Sequence, residues 1–272
     1  MATPNLHLDD SAALELADGI SYWLKERIEE ARSDRFVLGL SGGIDSAVVS
    51  GLCARAVGPN RVLAIIMPSS SISQDAIEAH KVADAFGIKP TTIDLTAVAD
   101  AVFNAMPSEE DLYANILGEV IPDGSDARFQ LARANVRPRT RMITNYYLAN
   151  LSRGIVVGTG NKTEYMIGYS TKYGDAGVDL APLLDLYKFE VRAVAKVIGV
   201  PDSVITRPPS AGLWEGQTDE DEIGIKYDDL DRTLMAMEAG DTSSINPELV
   251  EKVAQKVARS AHKRASIPAF TR

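Results

Sequence analysis

Apolar residues along the chain alternate between short continuous runs and helical spacing. The continuous runs are typical of strands buried on both faces of a parallel sheet. These predicted strands lie at 36–40, 61–67, 91–95 and 154–158. The segments with helical spacing predict helices over 10–32, 46–57, 73–86, 139–151 and 188–198.

The alternation of strands with helices predicts βαβ units, and therefore an α/β fold with a parallel sheet covered by helices on both faces. No repeat and no interdomain linker interrupts residues 1–272, so we predict a single domain. The 95–153 stretch is predicted to be mostly helical and to carry an insertion or an interface. Residues 206–224 combine prolines, glycines and an acidic run without periodicity, which predicts a loop.

Composition and charge exclude several classes of protein. Hydrophobic residues make up 45% and charged residues 24%, and no apolar run approaches the roughly 20 residues that span a bilayer. The N-terminal MATPNLHLDD lacks the basic-then-apolar order of a secretion signal, so we expect a cytoplasmic protein without membrane contact. A net charge of −10 argues against a nucleic-acid partner. Cys53 is the only cysteine, which excludes an internal disulfide and a cysteine-based zinc site.

The segment SGGIDS, residues 41–46, follows the first predicted strand and opens a helix. Adjacent glycines allow a sharp turn, and the amides at a helix start bind anions. The segment matches neither the common triphosphate loop nor the dinucleotide fingerprint. Asp45 would repel phosphates unless a divalent cation lay between them, which implies Mg²⁺. The alternative is that Asp45 is a simple helix N-cap.

This SGGIDS segment resembles the SGGxDS loop of the N-type ATP pyrophosphatases. The resemblance implies that the loop holds the β- and γ-phosphates of ATP. It further implies cleavage between the α- and β-phosphates, which leaves an adenylylated substrate and pyrophosphate. The loop does not select the substrate.

Several features of the second half of the chain narrow the choice. The segment RANVRPRTR, residues 133–141, holds four arginines, which predicts either an anion clamp or a solvated helix face. Thr159 ends the fourth strand, where ligands bind, and Glu164 lies one turn into the next helix. Glu164 is either a metal ligand shared with Asp45 or a favourable helix N-terminal acid. Lys188 opens a helix, where the dipole disfavours it, so an anionic partner such as a phosphate is expected.

Five segments, together with the SGGIDS loop, resemble ammonia-dependent NAD synthetase from about residue 10 to the C-terminus. They are NVRPRTRM, GTGNKTE, TKYGDAGVDLAPL, DEIGIKYDDLD and HKR followed after three residues by proline. The resemblance implies a Rossmann-like open parallel sheet of about five strands and a homodimer. The implied activity is a C–N ligase that joins ammonia to the nicotinate carboxyl of deamido-NAD. ATP becomes AMP and pyrophosphate through an acyl-adenylate, in the last step of NAD biosynthesis.

The resemblance also assigns roles to single positions. The implied ATP contacts are Gly39, Leu40, Ser41, Gly42, Gly43, Ile44, Asp45, Ser46, Thr159, Lys188 and Ser210. The implied deamido-NAD contacts are Arg139, Lys172, Asp179, His262 and Lys263. Asp45 and Glu164 would bind Mg²⁺. The residues implied in catalysis are Asp45, Lys188 and Asp175, the last as a candidate base near the nicotinate or the ammonia.

Other enzymes with this loop are the main alternatives. A tRNA-thiolating enzyme usually needs several cysteines and a basic RNA face, and a GMP synthetase would lack the TKYGD and HKR segments. A non-catalytic nucleotide sensor would be expected to lose Asp45, Glu164 or Lys188, and all three are present. The SGGIDS loop lies too near the start of the sequence for a preceding glutaminase domain, so we expect free ammonia or a separate partner to supply the nitrogen.

Overall fold

A parallel sheet is built from the most apolar segments of the chain. The computed structural model describes residues 3–69, 73–118, 127–209 and 218–271. The strands are β1 (Arg35–Gly39), β2 (Val62–Ile66), β3 (Thr91–Thr92) and β4 (Gly154–Val156). Their order is β3-β2-β1-β4, and every neighbouring pair is parallel. The predicted parallel α/β sheet is therefore confirmed.

The sheet has four strands within the described residues, so the expectation of about five is wrong. Leu180 forms one parallel bridge to Val157, beside β4, where a fifth strand would lie. The pairing does not extend because Pro182 has no N–H to donate. The third strand is also shorter than predicted, although backbone bonds from Ile93 to Ile66 and from Leu95 to Pro68 continue beyond it.

Helices occupy most of the rest of the described chain. The longer ones are α1 (Asp10–Glu30), α2 (Ile44–Val57), α3 (Ser73–Ala85), α4 (Thr96–Asn104), α6 (Ala127–Ala134), α7 (Val136–Ser152), α9 (Lys188–Ile198), α12 (Tyr227–Glu238) and α13 (Pro247–Arg259). The short ones are α5 (Glu109–Asp111), α8 (Lys162–Ile167), α10 (Asp202–Ile205), α11 (Asp219–Ile223) and α14 (Ala261–Arg264), with a π-helix at Leu112–Leu117 and a 3-10 turn at Pro59–Arg61.

Alternate residues of β1 belong to different apolar clusters on the two faces of the sheet. Phe36 and Leu38 are buried with α1, α2 and α9, while Val37 is buried with Ala149 of α7. Both faces are thus covered, as the continuous apolar runs predicted. A third cluster, formed by α8, α12 and α13, packs around Tyr227 and Leu230.

The prediction of a loop over 206–224 is partly wrong, because residues Asp219–Ile223 form the helix α11. Thr218 accepts a bond from the Asp221 amide at 3.2 Å, and four acidic residues follow in the first turn of α11. Acidic side chains at a helix N-terminus are favourable, which explains a helix where no hydrophobic periodicity announces one. Residues 210–217 lie outside the described residues.

No helix in the described ranges combines the length and apolarity that a membrane crossing requires.

Candidate active site

The SGGIDS loop connects β1 to α2 in the way the sequence predicts. Gly42 has a φ of 83°, and a Cβ there would overlap the backbone carbonyl of Asp75, so this position needs glycine. The Ser46 hydroxyl donates to the Gly43 carbonyl at 2.9 Å and accepts from the Ser41 amide at 3.2 Å. The loop is therefore held by its own side chain at the start of a helix, which is a suitable geometry for an anion site.

Asp45 is not the N-cap of α2. The cap position is Gly43, which makes no side-chain cap bond, and the Asp45 carboxylate instead accepts from the side-chain amide of Asn161 at 2.9 Å. Asn161 also caps α8, because its side-chain oxygen accepts from the Glu164 amide at 3.0 Å. One asparagine therefore fixes Asp45 and the start of the helix that carries Glu164.

Lys188 joins the two carboxylates that were predicted to share a metal. Its Nζ lies 2.6 Å from Asp45 Oδ2 and 3.0 Å from Glu164 Oε1, and the residue is 1% exposed. The predicted anionic partner of this lysine is therefore present, although in this structure it is a pair of carboxylates. Three residues from three separate segments of the sequence form one charged cluster.

Burial and charge oppose each other in this cluster. Burial lowers the pKa of Lys188, but the charges of Asp45 and Glu164 outweigh it, so the pKa lies above its ordinary value. Burial raises the pKa of Glu164, Lys188 opposes this effect, and Asp45 adds to it. The lysine is thus held as a cation in a site where phosphates would be the natural further partners.

A second layer of polar residues holds the cluster, and the roles assigned from the sequence missed it. The Tyr227 hydroxyl lies 3.0 Å from Glu164 Oε1 and 3.1 Å from Asp219 Oδ2. Asp231 accepts from the Phe189 amide at 2.9 Å and so anchors the start of α9. Asp219, Tyr227 and Asp231 surround or belong to the DEIGIKYDDLD segment, so the motif signalled this region but not the role of each residue.

A cavity of about 230 Å³ opens beside the SGGIDS loop, at the carboxyl ends of β1, β2 and β4. The predicted ATP-binding residues that line it are Gly39, Leu40, Ser41, Gly43, Ile44 and Thr159. Asp175 lines the same cavity, whereas Gly42, Asp45, Ser46 and Lys188 are not among its lining residues. Ser210 lies outside the described residues.

Four of the residues predicted to contact deamido-NAD lie together around the 168–172 segment. Lys172 Nζ donates to the His262 carbonyl at 2.8 Å, and Arg139 donates to the Lys172 carbonyl at 3.3 Å. Lys263 Nζ donates to the carbonyls of Gly168 and Ser170 at 2.7 and 2.6 Å. The C-terminal segment is thus tied to the loop that ends in Asp175.

Asp179 is placed differently from these four residues. Its carboxylate accepts from the backbone amide of Val156 at 2.9 Å and from the hydroxyl of Tyr146 at 2.9 Å. The Asp179 side chain therefore binds the backbone of β4 at the edge of the sheet, next to the bridge between Val157 and Leu180.

The four arginines of the 133–141 cluster do not form one clamp. The Arg133 guanidinium stacks on the ring of Phe103, 4.4 Å from its centroid, whereas Arg139 donates to the backbone carbonyl of Lys172. Arg141 lines the cavity and donates to the Met67 carbonyl at 3.2 Å. Helical spacing separates these side chains because successive positions turn to different faces.

These features define an α/β protein with a glycine-containing loop at the start of a helix, a buried lysine between two carboxylates and a cavity at the carboxyl edge of a parallel sheet. The NAD synthase family model matches residues 16–267. The chain belongs to the NAD synthase family.

Curated relatives and a solved structure agree with this membership. The NH(3)-dependent NAD(+) synthetase of Finegoldia magna is 40% identical over 256 residues, 94% of this chain and 95% of the relative. The protein of the same name from Archaeoglobus fulgidus is 41% identical over 93% of this chain and 95% of its own length. The structure of NMN synthetase from Francisella tularensis superposes with a TM-score of 0.79 at 31% identity, covering 97% of this chain and all of that one.

Proposed function

We propose that this chain is an ammonia-dependent NAD synthetase. It converts deamido-NAD, ATP and ammonia to NAD, AMP and pyrophosphate. The observation that carries the proposal is the Lys188 ammonium, which lies between Asp45 of the SGGIDS loop and Glu164 in a member of this family. A cavity opens beside the same loop.

The chemistry explains why such a site needs ATP. A carboxylate does not react with ammonia directly, because its leaving group would be oxide. Adenylylation turns that oxygen into AMP, a competent leaving group, and ammonia then attacks the acyl-adenylate. Lys188 offsets the negative charge that builds on the α-phosphate and on the departing pyrophosphate.

Residues at the strand ends bind ATP in this proposal. The proposed contacts are Gly39, Leu40, Ser41, Gly42, Gly43, Ile44, Asp45, Ser46, Thr159, Lys188 and Ser210. The lining of the cavity by six of these residues supports the assignment for the described part of the set. The phosphates would lie over the amides at the start of α2, where the helix dipole favours negative charge.

Asp45 and Glu164 would hold Mg²⁺. The part of the chain that the structure describes contains no cluster of three or more histidine, cysteine or acidic side chains arranged for a metal. Two carboxylates that approach the same cation fit Mg²⁺, which is usually bound by one or two carboxylates together with substrate phosphates. Held by these two carboxylates, Mg²⁺ would supply positive charge to offset that of the phosphates.

In this proposal the acceptor is held by Arg139, Lys172, Asp179, His262 and Lys263. Arg139 bonds to the Lys172 carbonyl and Lys172 to the His262 carbonyl, while Lys263 bonds to the Gly168 carbonyl. These bonds tie the C-terminal segment to the 168–172 segment, which supports a common site. Three cationic side chains in such a site suit the pyrophosphate of a dinucleotide.

Asp175 is the proposed base that removes protons from the attacking ammonia. It lines the cavity, and burial raises the pKa of its carboxyl, which makes it a stronger base. Asp175→Asn is expected to lower kcat about 100-fold with little change in the KM for ATP. The wild-type kcat should fall as the pH falls through the raised pKa, because the acting form is the ionised one, and the variant should lack this decline.

Steady-state kinetics of the two forms across pH check this role. Asp84→Asn, at an exposed position of α3, removes the same charge outside the cavity and should leave kcat unchanged. A wild-type kcat in Asp175→Asn would exclude Asp175 as the base.

Free ammonia is the proposed nitrogen source, and residues 1–272 are proposed to form a single catalytic domain. Glutamine hydrolysis in this class of enzymes uses a cysteine thiolate, but Cys53 is fully buried in α2. Burial raises the pKa of its thiol, which disfavours the thiolate. The purified protein should therefore form NAD from deamido-NAD and ATP-Mg²⁺ with ammonium salts, and equal turnover with glutamine alone would contradict the proposal.

A smaller acceptor is the second candidate, because the Francisella tularensis structure of NMN synthetase covers this chain almost completely. The same reaction on that acceptor would amidate the carboxylate precursor of NMN. Competition between this mononucleotide and deamido-NAD decides between them, and a higher kcat/KM for the mononucleotide would favour the second candidate.

We further propose a homodimer that forms through α7. Ile143, Tyr147 and Leu151 recur at helical spacing and are 62%, 67% and 72% exposed, which is unusual for large apolar side chains on one helix face. Burying this stripe against its symmetry mate would remove it from water. We also propose that the enzyme is located in the cytoplasm, and we propose neither nucleic acid nor a membrane as a partner.

Light scattering after gel filtration checks the dimer. The wild type should have about twice the 29.3 kDa of one chain, and Tyr147→Asp should shift the mass toward one chain. Leu14→Asp, at an exposed apolar position of α1, is the matched control and should leave the mass unchanged. A monomeric wild type would contradict the proposed interface.

A further inference from the structure

Two cations line the described part of the cavity, and only one of them has a counter-ion. Arg207 contributes to the wall beside Pro208 and forms an ion pair with Asp75 at 2.6 Å. The carboxylate of Asp75, at the start of α3, neutralises the charge of Arg207. The pair offers no excess positive charge to a ligand.

Arg141 is the other cation, and it forms no such ion pair within the described residues. It lies on α7, half-buried, and its Nε donates to the Met67 carbonyl at 3.2 Å, just beyond the end of β2. Within the described ranges, no carboxylate oxygen lies within 4 Å of its guanidinium. Asp175, one of the two acids that line the cavity, accepts from the Thr171 amide at 2.8 Å.

A guanidinium in this position carries unused donors. It has five N–H groups, of which the Met67 contact uses one, and it stays charged at neutral pH. Burial lowers the pKa of Arg141, and neighbouring Arg137 adds to the effect, whereas Asp175 and Asp75 oppose it at longer range. A partly desolvated cation without a close partner is costly, so an anion that enters the cavity would be bound favourably.

We propose that Arg141 binds an oxyanion of a substrate inside this cavity, with its two Nη groups as donors. The fork of a guanidinium matches both the oxygens of a phosphate and those of a carboxylate. The oxyanion therefore belongs either to a phosphate of ATP or to the deamido-NAD acceptor. The position of Arg141, between the end of β2 and the loop of Asp175, is consistent with the junction where the two substrates react. This inference rests on the proposed function.

Steady-state kinetics of Arg141→Gln and Arg141→Lys test the proposal. Loss of a charge-assisted pair should raise one KM about 10- to 100-fold in the Gln variant. The Lys variant restores the charge but not the fork, so it should recover only part of the affinity and keep at least about a threefold rise in that KM. The matched control is Arg55→Gln, which removes an arginine that pairs with exposed Asp18 at the far end of α2.

The outcomes separate the two sources of the oxyanion. A raised KM for ATP alone assigns it to a nucleotide phosphate, and a raised KM for deamido-NAD alone assigns it to the acceptor. Wild-type KM values for both substrates in either folded variant would overturn the proposal. If Arg141→Gln does not fold, Arg141→Lys alone decides.

The wild-type assay distinguishes this proposal from the function on which it rests. Wild-type turnover together with unchanged variants would overturn the role of Arg141 and leave the proposed function intact. No wild-type turnover would overturn the proposed function, and the role of Arg141 in it would fall as well.

Discussion

Replacing Lys188 by methionine should lower kcat about 100- to 1000-fold, because the ammonium that offsets phosphate charge is lost. The stem of the side chain is nearly preserved, so packing around the start of α9 changes little. Steady-state kinetics with ATP, deamido-NAD and ammonium measures the loss. Lys196→Met is the matched control, since Lys196 lies two turns further along the same helix, is 67% exposed, and pairs with Asp10 at the surface.

The same substitution should also destabilise the protein. Asp45 and Glu164 would face each other without the cation that separates them, and removing one partner of a buried charged cluster costs about 3 kcal/mol. Urea unfolding measures this change, and activity is then compared at concentrations where both proteins are folded. A folded Lys188→Met protein with activity within threefold of the wild type would contradict the proposed role of Lys188.

Asp45→Asn should lower ATP–pyrophosphate exchange about 100- to 1000-fold. The amide keeps the shape of the side chain but removes the charge that pairs with Lys188 and that would hold Mg²⁺. The apparent affinity for Mg²⁺ should fall in parallel, which a titration of the residual rate with Mg²⁺ measures. Asp18→Asn, at an exposed position of α1, should behave as the wild type. Wild-type ATP–pyrophosphate exchange in the Asp45→Asn variant would exclude Asp45 as a metal ligand.

Much of the fold follows from hydrophobic periodicity, since the strands and the helices α1, α2, α3, α7 and α9 lie where the apolar pattern predicts them. The helices α12 and α13 were not among those predicted. The bounds of α1 and α9 differ from prediction by two residues at most. Two of the errors occur where a single residue decides the structure. Thr218 starts an unpredicted helix, and Pro182 prevents extension at the sheet edge. Such local bonds leave no periodic signal.

The candidate site was predictable in its parts but not in its assembly. Motif resemblance brought Asp45, Glu164 and Lys188 to attention, yet spacing along the chain cannot show that one ammonium contacts both carboxylates. Tyr227 and Asn161 were missed because a phenol and an amide have common structural uses, and only their contacts with Glu164 and Asp45 distinguish them. The sequence analysis treated Arg141 only as one of four clustered arginines. The structure distinguishes it because it is the one of the four that lines the cavity.

The central claim is that this chain activates the nicotinate carboxyl of deamido-NAD by adenylylation. Exchange of labelled pyrophosphate into ATP, measured without ammonia, tests it most directly because it isolates the first half-reaction. The account predicts exchange that requires both Mg²⁺ and deamido-NAD and that is lost in Asp45→Asn and Lys188→Met. No exchange in the wild-type protein, or exchange that does not depend on deamido-NAD, would contradict it.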